Sequence, residues 1–270
     1  MEKIYNYLEN HLSEIQAKGK LFFLMNDLKK AFPEYSSNAL QMNIKRLSKK
    51  NKVRFLMKGF YLIISPEYYY RKVLPPELFI DPLFKSLGRS YYLGLLSASV
   101  LHGASHQQAM ESYVFINKPA LRQTNTEGIK INYIVKSNTP QFGIEKRKTE
   151  TGYINISGPE LTAVDLVEFQ NWIGGLNRAS TVLHELSEEM SSEKLKAVLQ
   201  NDFSFSVLQR LGYILDCVLK REELSSVIKT YLKDKKIFRV PLKTNSKKEG
   251  FPVHPFWKII ENHKIETDFN

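Results

Sequence analysis

A chain of 270 residues, 43% of them apolar and 25% charged, is long enough to bury a hydrophobic core, which excludes a largely disordered protein. The net charge of +11 is unevenly placed, because residues 1–64 hold 12 basic and 5 acidic side chains and the other 206 hold 27 and 23. An excess concentrated in the first quarter of the chain favours a polyanion as the partner.

The single cysteine, Cys217, leaves no possibility of an intrachain disulfide and fits a reducing compartment. The amino terminus begins an amphipathic pattern rather than the apolar core of a signal peptide. No window of the sequence approaches the roughly 18 uncharged apolar residues of a transmembrane helix. We therefore expect a soluble, cytoplasmic protein without a membrane partner.

The first 64 residues predict three helices and a hairpin. After a first amphipathic helix, a short extended piece at 21–23 leads to a second helix with Asn26 or Asp27 as its N-cap. A third helix is predicted over 36–50, and the tight turn Lys58-Gly59 then joins two β-favouring runs. Helix, strand, helix, helix, hairpin is the order of a winged helix-turn-helix.

The third predicted helix has two different faces, and Ser36 or Ser37 is its expected N-cap. An apolar stripe for the core is formed by Leu40, Ile44 and Leu47. The side chains that point away from this stripe are Asn38, Gln41, Lys45 and Lys49, with Arg46 at the flank. A helix that buries one face and offers amides and cations on the other suits the major groove of DNA.

Nine side chains of this region are expected to contact DNA. Asparagine and glutamine pair with adenine edges and basic side chains with guanine, so the residues assigned to bases are Asn38, Gln41, Lys45 and Arg46. Phosphate contacts position a protein without specifying sequence, and we assign them to Lys29, Lys30, Lys49, Arg54 and Lys58. The alternative is a solvated helix face whose lysines serve solubility alone; the adjoining helices, the wing and the local charge favour DNA.

Prolines between residues 66 and 82 interrupt any regular helix there. We expect a winged helix-turn-helix domain over 1–66, a proline-rich linker over 67–84 and a second domain over 85–270. The fold class is α+β, with the N-terminal winged helix-turn-helix followed by a larger α+β domain that has a small sheet and a helix cluster.

The second domain is expected to place its sheet before its helices. A helix is predicted at 91–101, and strands at 113–117, 129–135, 142–147 and 153–156. The helices that follow are predicted at 160–170, 177–190, 192–200, 205–219 and 221–235, with another strand at 237–240.

Three sequence blocks, taken in order and spacing, resemble the AbiEi antitoxin family over nearly the whole chain. They are Gly59-Phe60-Tyr61-Leu62, the run from Tyr91 to Gly103, and the run from Ser157 to Val167. The resemblance implies an N-terminal domain that binds inverted repeats upstream of its own operon and represses it. It also implies a second domain that counters a nucleotidyltransferase-like toxin without a stable complex, in a system of phage defence by abortive infection.

Two other groups of residues invite a functional interpretation. His102 and His106 are spaced as a helical pair, but no cysteine cluster or HExxH pattern accompanies them, so we interpret His102 as a hydrogen-bonded residue at a helix end. The basic loop with Lys243, Lys247 and Lys248 is interpreted as solvated, and contact with nucleic acid is its alternative.

Carboxylates in and directly after the third block could resemble a nuclease site. Glu160, Asp165 and Glu168 would have to combine with Lys146 or Lys148. The simpler interpretation is a helix start, because a proline suits the first helical turn and the glutamate after it favours the positive end of the helix.

We therefore expect a non-enzymatic transcriptional repressor and antitoxin that needs no cofactor or metal. Its partners would be double-stranded operator DNA and the nucleotidyltransferase-like toxin. The alternatives are a ligand-sensing winged-helix repressor without a toxin, a metal-dependent nuclease that uses Asp165, and a DNA-binding scaffold.

Overall fold

The computed structural model describes residues 2–71, 74–104 and 111–266 and has an α+β fold. Two compact units make up the chain. The first contains residues 1–90, 120–133 and 146–154, and the second contains 91–119, 134–145 and 155–270. Within the described residues, no helix has the combination of length and apolar character that crossing a membrane requires.

The first unit opens with the six elements that the sequence predicts. Their bounds are α1 Glu2–Ala17, β1 Phe22–Leu24, α2 Met25–Ala31, α3 Ser37–Lys49, β2 Val53–Met57 and β3 Phe60–Ile63. The strands form a three-stranded antiparallel sheet with β3 in the middle, between β1 and β2. Gly59 has a φ of +82° in the turn between β2 and β3, a conformation that glycine adopts without strain.

The apolar stripe of α3 is confirmed. Leu40 and Leu47 are fully buried and Ile44 is 4% exposed. Ile44 and Leu47 pack in a core that also contains Leu8 of α1 and Leu28 of α2. Burying the stripe fixes the rotation of the helix about its axis, and so it determines which side chains face solvent.

Side-chain capping differs between the two short helices. Ser36 is the N-cap of α3, and its hydroxyl accepts the backbone N–H of Ala39 at 3.2 Å. The expected cap of α2 by Asn26 or Asp27 is wrong, because the helix already begins at Met25 and Leu24 precedes it without a side-chain cap.

Ser36→Ala is expected to lower the free energy of unfolding by about 1 kcal/mol, because the Ala39 N–H loses its acceptor. Urea unfolding of the full chain measures this loss. Ser37→Ala is the matched control, since Ser37 is exposed and already lies inside the helix. An equal loss in both variants would show that the cap contributes nothing.

The rest of the first unit contains two further helices and strands from later in the chain. The helices are α4 Pro66–Arg71 and α5 Ile80–Leu87, with a 3-10 turn at Pro76–Leu78 between them. The later strands are β6 Thr124–Thr126 and β7 Ile129–Val135, which pair antiparallel, and parts of β8 Ile144–Thr149 and β9 Gly152–Ser157. Strand β6 was not expected from the sequence.

Strands β4 to β9 form a six-stranded sheet with the order β6-β7-β5-β4-β9-β8. In the second unit β4 Tyr91–Leu93 lies antiparallel to β5 Ser112–Ile116 and parallel to β9. The prediction of helix from residue 91 is therefore wrong for residues 91–94, and α6 covers only Leu95–Leu101. All three residues of β4 are buried, so pairing with distant strands overrides their local helical pattern.

The helix cluster of the second unit follows β9, as predicted. Its members are α7 Pro159–Glu168, α8 Leu176–Leu186, α9 Ser192–Val198, α10 Phe205–Tyr213, a π-helical turn Ile214–Val218 and α11 Glu222–Leu232. Helix α7 is buried from Pro159 to Val167, so it lies inside the unit rather than on its surface. The last strands are β10 Val240–Pro241 and β11 Ile259–Ile260, which pair in parallel.

Candidate nucleic-acid interface and buried lysine cluster

Helix α3 exposes every residue that the sequence assigns to base edges. These side chains are Asn38, Gln41, Lys45 and Arg46. Gln41 and Lys45 are four residues apart and therefore share one face, opposite the buried stripe of the same helix. A helix of 13 residues is about 20 Å long, which is long enough to follow a major groove over several base pairs.

Asn43 is the residue of α3 that the sequence analysis missed. It is 2% exposed, and its amide Nδ2 donates to the carbonyl oxygen of Ala39 at 2.8 Å. Within the part of the chain that the structure describes, its buried Oδ1 has no hydrogen-bond partner. Because Asn43 lies next to the Ile44 position, a wider apolar stripe would have placed it on the buried side.

Two apolar side chains are exposed in the same region. Met42 of α3 is 55% exposed and Phe55 of β2 is 51% exposed. The exposed parts of both side chains could contact apolar groups such as the methyl group of thymine, although the ring of Phe55 also lies 5.5 Å from that of Tyr61.

The residues assigned to phosphate divide into two groups. Lys29, Lys30, Lys49 and Lys58 are exposed, as the assignment requires. Arg54 differs, because its side chain is 12% exposed and its guanidinium Nη2 lies 3.4 Å from a carboxylate oxygen of Glu127.

The pairing of Arg54 changes what that residue can do. Its Nη1 also donates to the carbonyl oxygen of Glu127. Burial lowers the pKa of Arg54, and the charge of Glu127 opposes this shift. Arg54 could contact a phosphate only if the phosphate replaced Glu127 as its partner. The phosphate-contacting role of Arg54 therefore remains a prediction.

The second unit contains a buried ion pair. Asp165 of α7 is fully buried, and its Oδ1 lies 2.5 Å from Nζ of Lys136, whose side chain is 12% exposed. Tyr92 donates its hydroxyl to the other carboxylate oxygen at 3.0 Å, and Glu168 lies 3.5 Å from the same Nζ. We name these four residues the Lys136 cluster.

Aromatic rings surround the charge of Lys136. Its Nζ lies 5.6 Å from the ring centroids of Phe115 and Phe169 and 5.3 Å from that of Phe203. Such distances allow cation–π attraction, which is strongest where water is excluded. Burial raises the pKa of Asp165, and the charge of Lys136 opposes that rise.

The stretch that contains the Lys136 cluster matches a known family. Residues 92–217 match the AbiEi antitoxin C-terminal domain. These residues form an AbiEi antitoxin domain. The AbiEi domain belongs to antitoxins of toxin–antitoxin systems, and the match confirms the resemblance given by the second and third sequence blocks.

The fold of the chain is also similar to a solved structure. The crystal structure of the RV2827C protein from Mycobacterium tuberculosis superposes with a TM-score of 0.67, at 16% sequence identity, over 94% of this chain and 90% of that chain. At this identity the likeness extends to the fold alone. No curated protein matches the chain in sequence.

The AbiEi domain does not assemble the nuclease arrangement. Lys136 meets Asp165, whereas Lys146 and Lys148 are exposed on β8. Glu160 is used elsewhere, because its carboxylate accepts the backbone N–H of Ser191 at 2.7 Å at the start of α9. Asp165 is fully buried and pairs with Lys136 and Tyr92, and Glu160 lies in the first turn of α7, as the interpretation of a helix start held.

His102 has the role expected of it. It follows α6 as the C-cap residue, and its Nε2 lies 2.8 Å from the carbonyl oxygen of Ser157. His106, its suggested partner, lies outside the described residues. Among those that are described, no three residues of the His, Cys, Asp and Glu types are grouped as a metal site requires.

Proposed function

We propose that the protein is a DNA-binding antitoxin that represses its own operon and counters a nucleotidyltransferase-like toxin. The observation that carries the DNA-binding part is the solvent face of α3, where Asn38, Gln41, Lys45 and Arg46 are all exposed beside a hairpin. The antitoxin part rests on the AbiEi domain at residues 92–217. In this proposal the protein is not an enzyme.

The charge of the N-terminal region supports binding to a duplex. Residues 1–64 hold 12 basic and 5 acidic side chains, and the lysines assigned to phosphate are exposed on α2, α3 and the hairpin turn. Each phosphate that a protein neutralises steepens the fall of affinity with salt by about 0.9 in the log–log slope. Four such lysines predict that the slope of log affinity against log salt concentration is about −3.6 or steeper for duplex DNA.

Sequence preference and overall affinity are expected to depend on different residues. Gln41→Ala and Lys45→Ala should weaken binding to DNA from upstream of the gene by about 1–3 kcal/mol and leave binding to scrambled DNA almost unchanged. Lys58→Ala should weaken both DNAs about equally, because a phosphate contact carries no sequence information. Gel-shift titrations of each variant on both DNAs measure the difference.

Lys148→Ala is the matched control for these substitutions. Lys148 is an exposed lysine of β8 and lies outside the proposed interface. The Lys148→Ala variant should therefore bind both DNAs like the parent protein. A uniform loss on both DNAs for Gln41→Ala and Lys45→Ala would contradict the assignment of α3 to base edges.

The antitoxin part needs a separate experiment. The neighbouring gene should encode a nucleotidyltransferase-like protein, and co-expression of the full chain should restore growth to cells that produce it. Lys45→Ala should keep this rescue while it loses repression, since Lys45 lies outside the AbiEi domain. Rescue that disappears together with DNA binding would show that the two activities are one.

A further inference from the structure

A second concentration of positive charge lies near the carboxyl end of the chain. Residues 229–264 hold 10 basic and 3 acidic side chains, the same net charge as residues 1–64. Nine of these basic residues are exposed: Lys233, Lys235, Lys236, Arg239, Lys243, Lys247, Lys248, Lys258 and Lys264. Of the ion pairs present among the described residues, none involves any of these nine.

Three exposed phenylalanines lie among these cations. Phe238 is 66% exposed, Phe251 42% and Phe256 39%. Single exposed apolar residues are ordinary on protein surfaces. Here three exposed aromatic rings lie in one stretch of 19 residues inside a strongly basic segment. Nζ of Lys236 lies 5.6 Å from the ring centroid of Phe238, so a cation already accompanies one of them.

Hydrogen bonds hold the segments that carry these rings side by side. The side-chain amide of Gln209 donates to the carbonyl oxygens of Phe238, at 2.8 Å, and Trp257, at 2.7 Å. Strand β10 pairs with β11, and the backbone N–H of Glu261 donates to Pro252, next to Phe251, at 2.9 Å. The rings therefore belong to neighbouring segments of one surface, the C-terminal basic surface (residues 229–264).

Trp257 anchors this surface in the core of the second unit. It is fully buried, and its indole N–H donates to Asp216 at 2.9 Å. A surface fixed in this way can present rings and cations without an ordering step on binding, which favours affinity.

A polar cavity of about 320 Å³ adjoins the C-terminal basic surface. Its lining includes Asn171, Asn177, Lys243, Asn245 and His263. Burial and the nearby charge of Lys243 lower the pKa of His263, so its ring is neutral at pH 7 and bonds Asn177 at 2.9 Å. The cavity thus offers amide and imidazole groups for hydrogen bonding, with one cation at its edge.

We propose that the C-terminal basic surface binds single-stranded RNA, a partner beyond the operator DNA proposed for α3. Exposed rings stack on unpaired bases, which a duplex hides, and the lysines track the phosphates. After α11 ends at Leu232, the described residues contain no helix that could enter a groove. The amide oxygens of the cavity can accept a hydrogen bond from the 2′-hydroxyl, the group that distinguishes RNA from DNA.

Fluorescence anisotropy with the full chain and a labelled 12-nucleotide oligo(U) RNA tests this proposal. The double variant Phe238→Ala/Phe251→Ala should bind the RNA about tenfold or more weakly, because stacking platforms are lost. Lys247→Ala/Lys248→Ala should reduce the steepness of the salt dependence by about 1.4 in the log–log slope. All four side chains are exposed, so thermal unfolding should be unchanged.

Matched controls separate this surface from the DNA interface. Tyr153→Ala removes an aromatic ring that is 59% exposed elsewhere, and Lys146→Ala/Lys148→Ala removes two exposed lysines of β8; both should bind oligo(U) normally. Lys45→Ala should lose duplex recognition and keep RNA binding.

Three results would overturn the proposal. The first is an absence of oligo(U) binding by the parent protein. The second is the same affinity for oligo(U) in the Phe238→Ala/Phe251→Ala variant as in the parent. The third is oligo(dT) binding as tight as that of oligo(U), which would remove the assignment to RNA. Each can occur whether or not α3 binds duplex DNA, so the two proposals fail independently.

Discussion

Lys136→Met should lower the free energy of unfolding by about 3–5 kcal/mol, because it leaves a carboxylate buried without its cation. Asp165 is fully buried, and Lys136 is its charged partner at 2.5 Å. Methionine replaces all of the lysine side chain except the charged terminal atom, so most of the loss reports charge rather than a cavity. Urea unfolding of the full chain at pH 8 measures it.

The loss should depend on pH in a defined direction. Burial already raises the pKa of Asp165 above 3.8, and Lys136 opposes that rise, so removing Lys136 raises the pKa further. The folded variant then binds a proton more tightly than the unfolded chain does, and its stability falls as pH rises from 3.8 through the folded pKa. The difference from the parent protein should therefore be smaller at pH 5 than at pH 8. Glu168 shifts in the same sense, because Lys136 also opposes the rise of its pKa.

A second substitution provides the control for Lys136→Met. Lys136→Met/Asp165→Asn removes both charges, so it should recover much of the lost stability and lose the part of the extra pH dependence that Asp165 causes. If Lys136→Met destabilised the protein equally at pH 5 and pH 8, a charged Asp165 would not be the cause.

Gly212→Ala should destabilise the protein by about 2–3 kcal/mol, although alanine is the better helix former by about 1 kcal/mol. A Cβ on Gly212 of α10 would lie 2.1 Å and 2.2 Å from two ring carbons of Trp257. The ring has little freedom to retreat, since Trp257 is fully buried and its indole N–H is bonded to Asp216. Overpacking against a rigid ring forces the helix or the ring to move.

Trp257→Leu is the background that isolates this clash. With the ring absent, Gly212→Ala should be neutral or stabilising, and the two substitutions should show a large coupling free energy in a double-mutant cycle. A loss from Gly212→Ala that is the same in both backgrounds would place its cause in the helix rather than in the contact with Trp257.

Features that depend on local sequence could be predicted. Leu40, Ile44 and Leu47 repeat at helical spacing within eight residues, and the Ser36 cap acts three residues away, so a short window contains all the information. The exposed face of α3 follows from the same spacing. The sequence analysis singled out Asp165 as part of a family block, but it did not predict that Lys136 would be its partner.

Features that depend on distant partners could not be predicted. Lys136 is 29 residues from Asp165, and nothing in the local pattern of either residue indicates the other. Residues 91–93 look helical by themselves, and only pairing with β5 and β9 makes them a strand. The charge of the C-terminal basic surface is local, because residues 65–270 as a whole hold 27 basic and 23 acidic side chains and are nearly balanced.

The first compact unit is assembled from three separate stretches of chain, so a truncated protein does not contain the complete unit. A polypeptide that stops after residue 66 contains α1 to β3 but lacks Glu127, the partner of Arg54, together with β6 and β7. Truncation there would leave the guanidinium of Arg54 without the carboxylate that pairs with it in the intact protein. DNA affinity measured on such a fragment would then describe a surface with one more available cation than the whole molecule has.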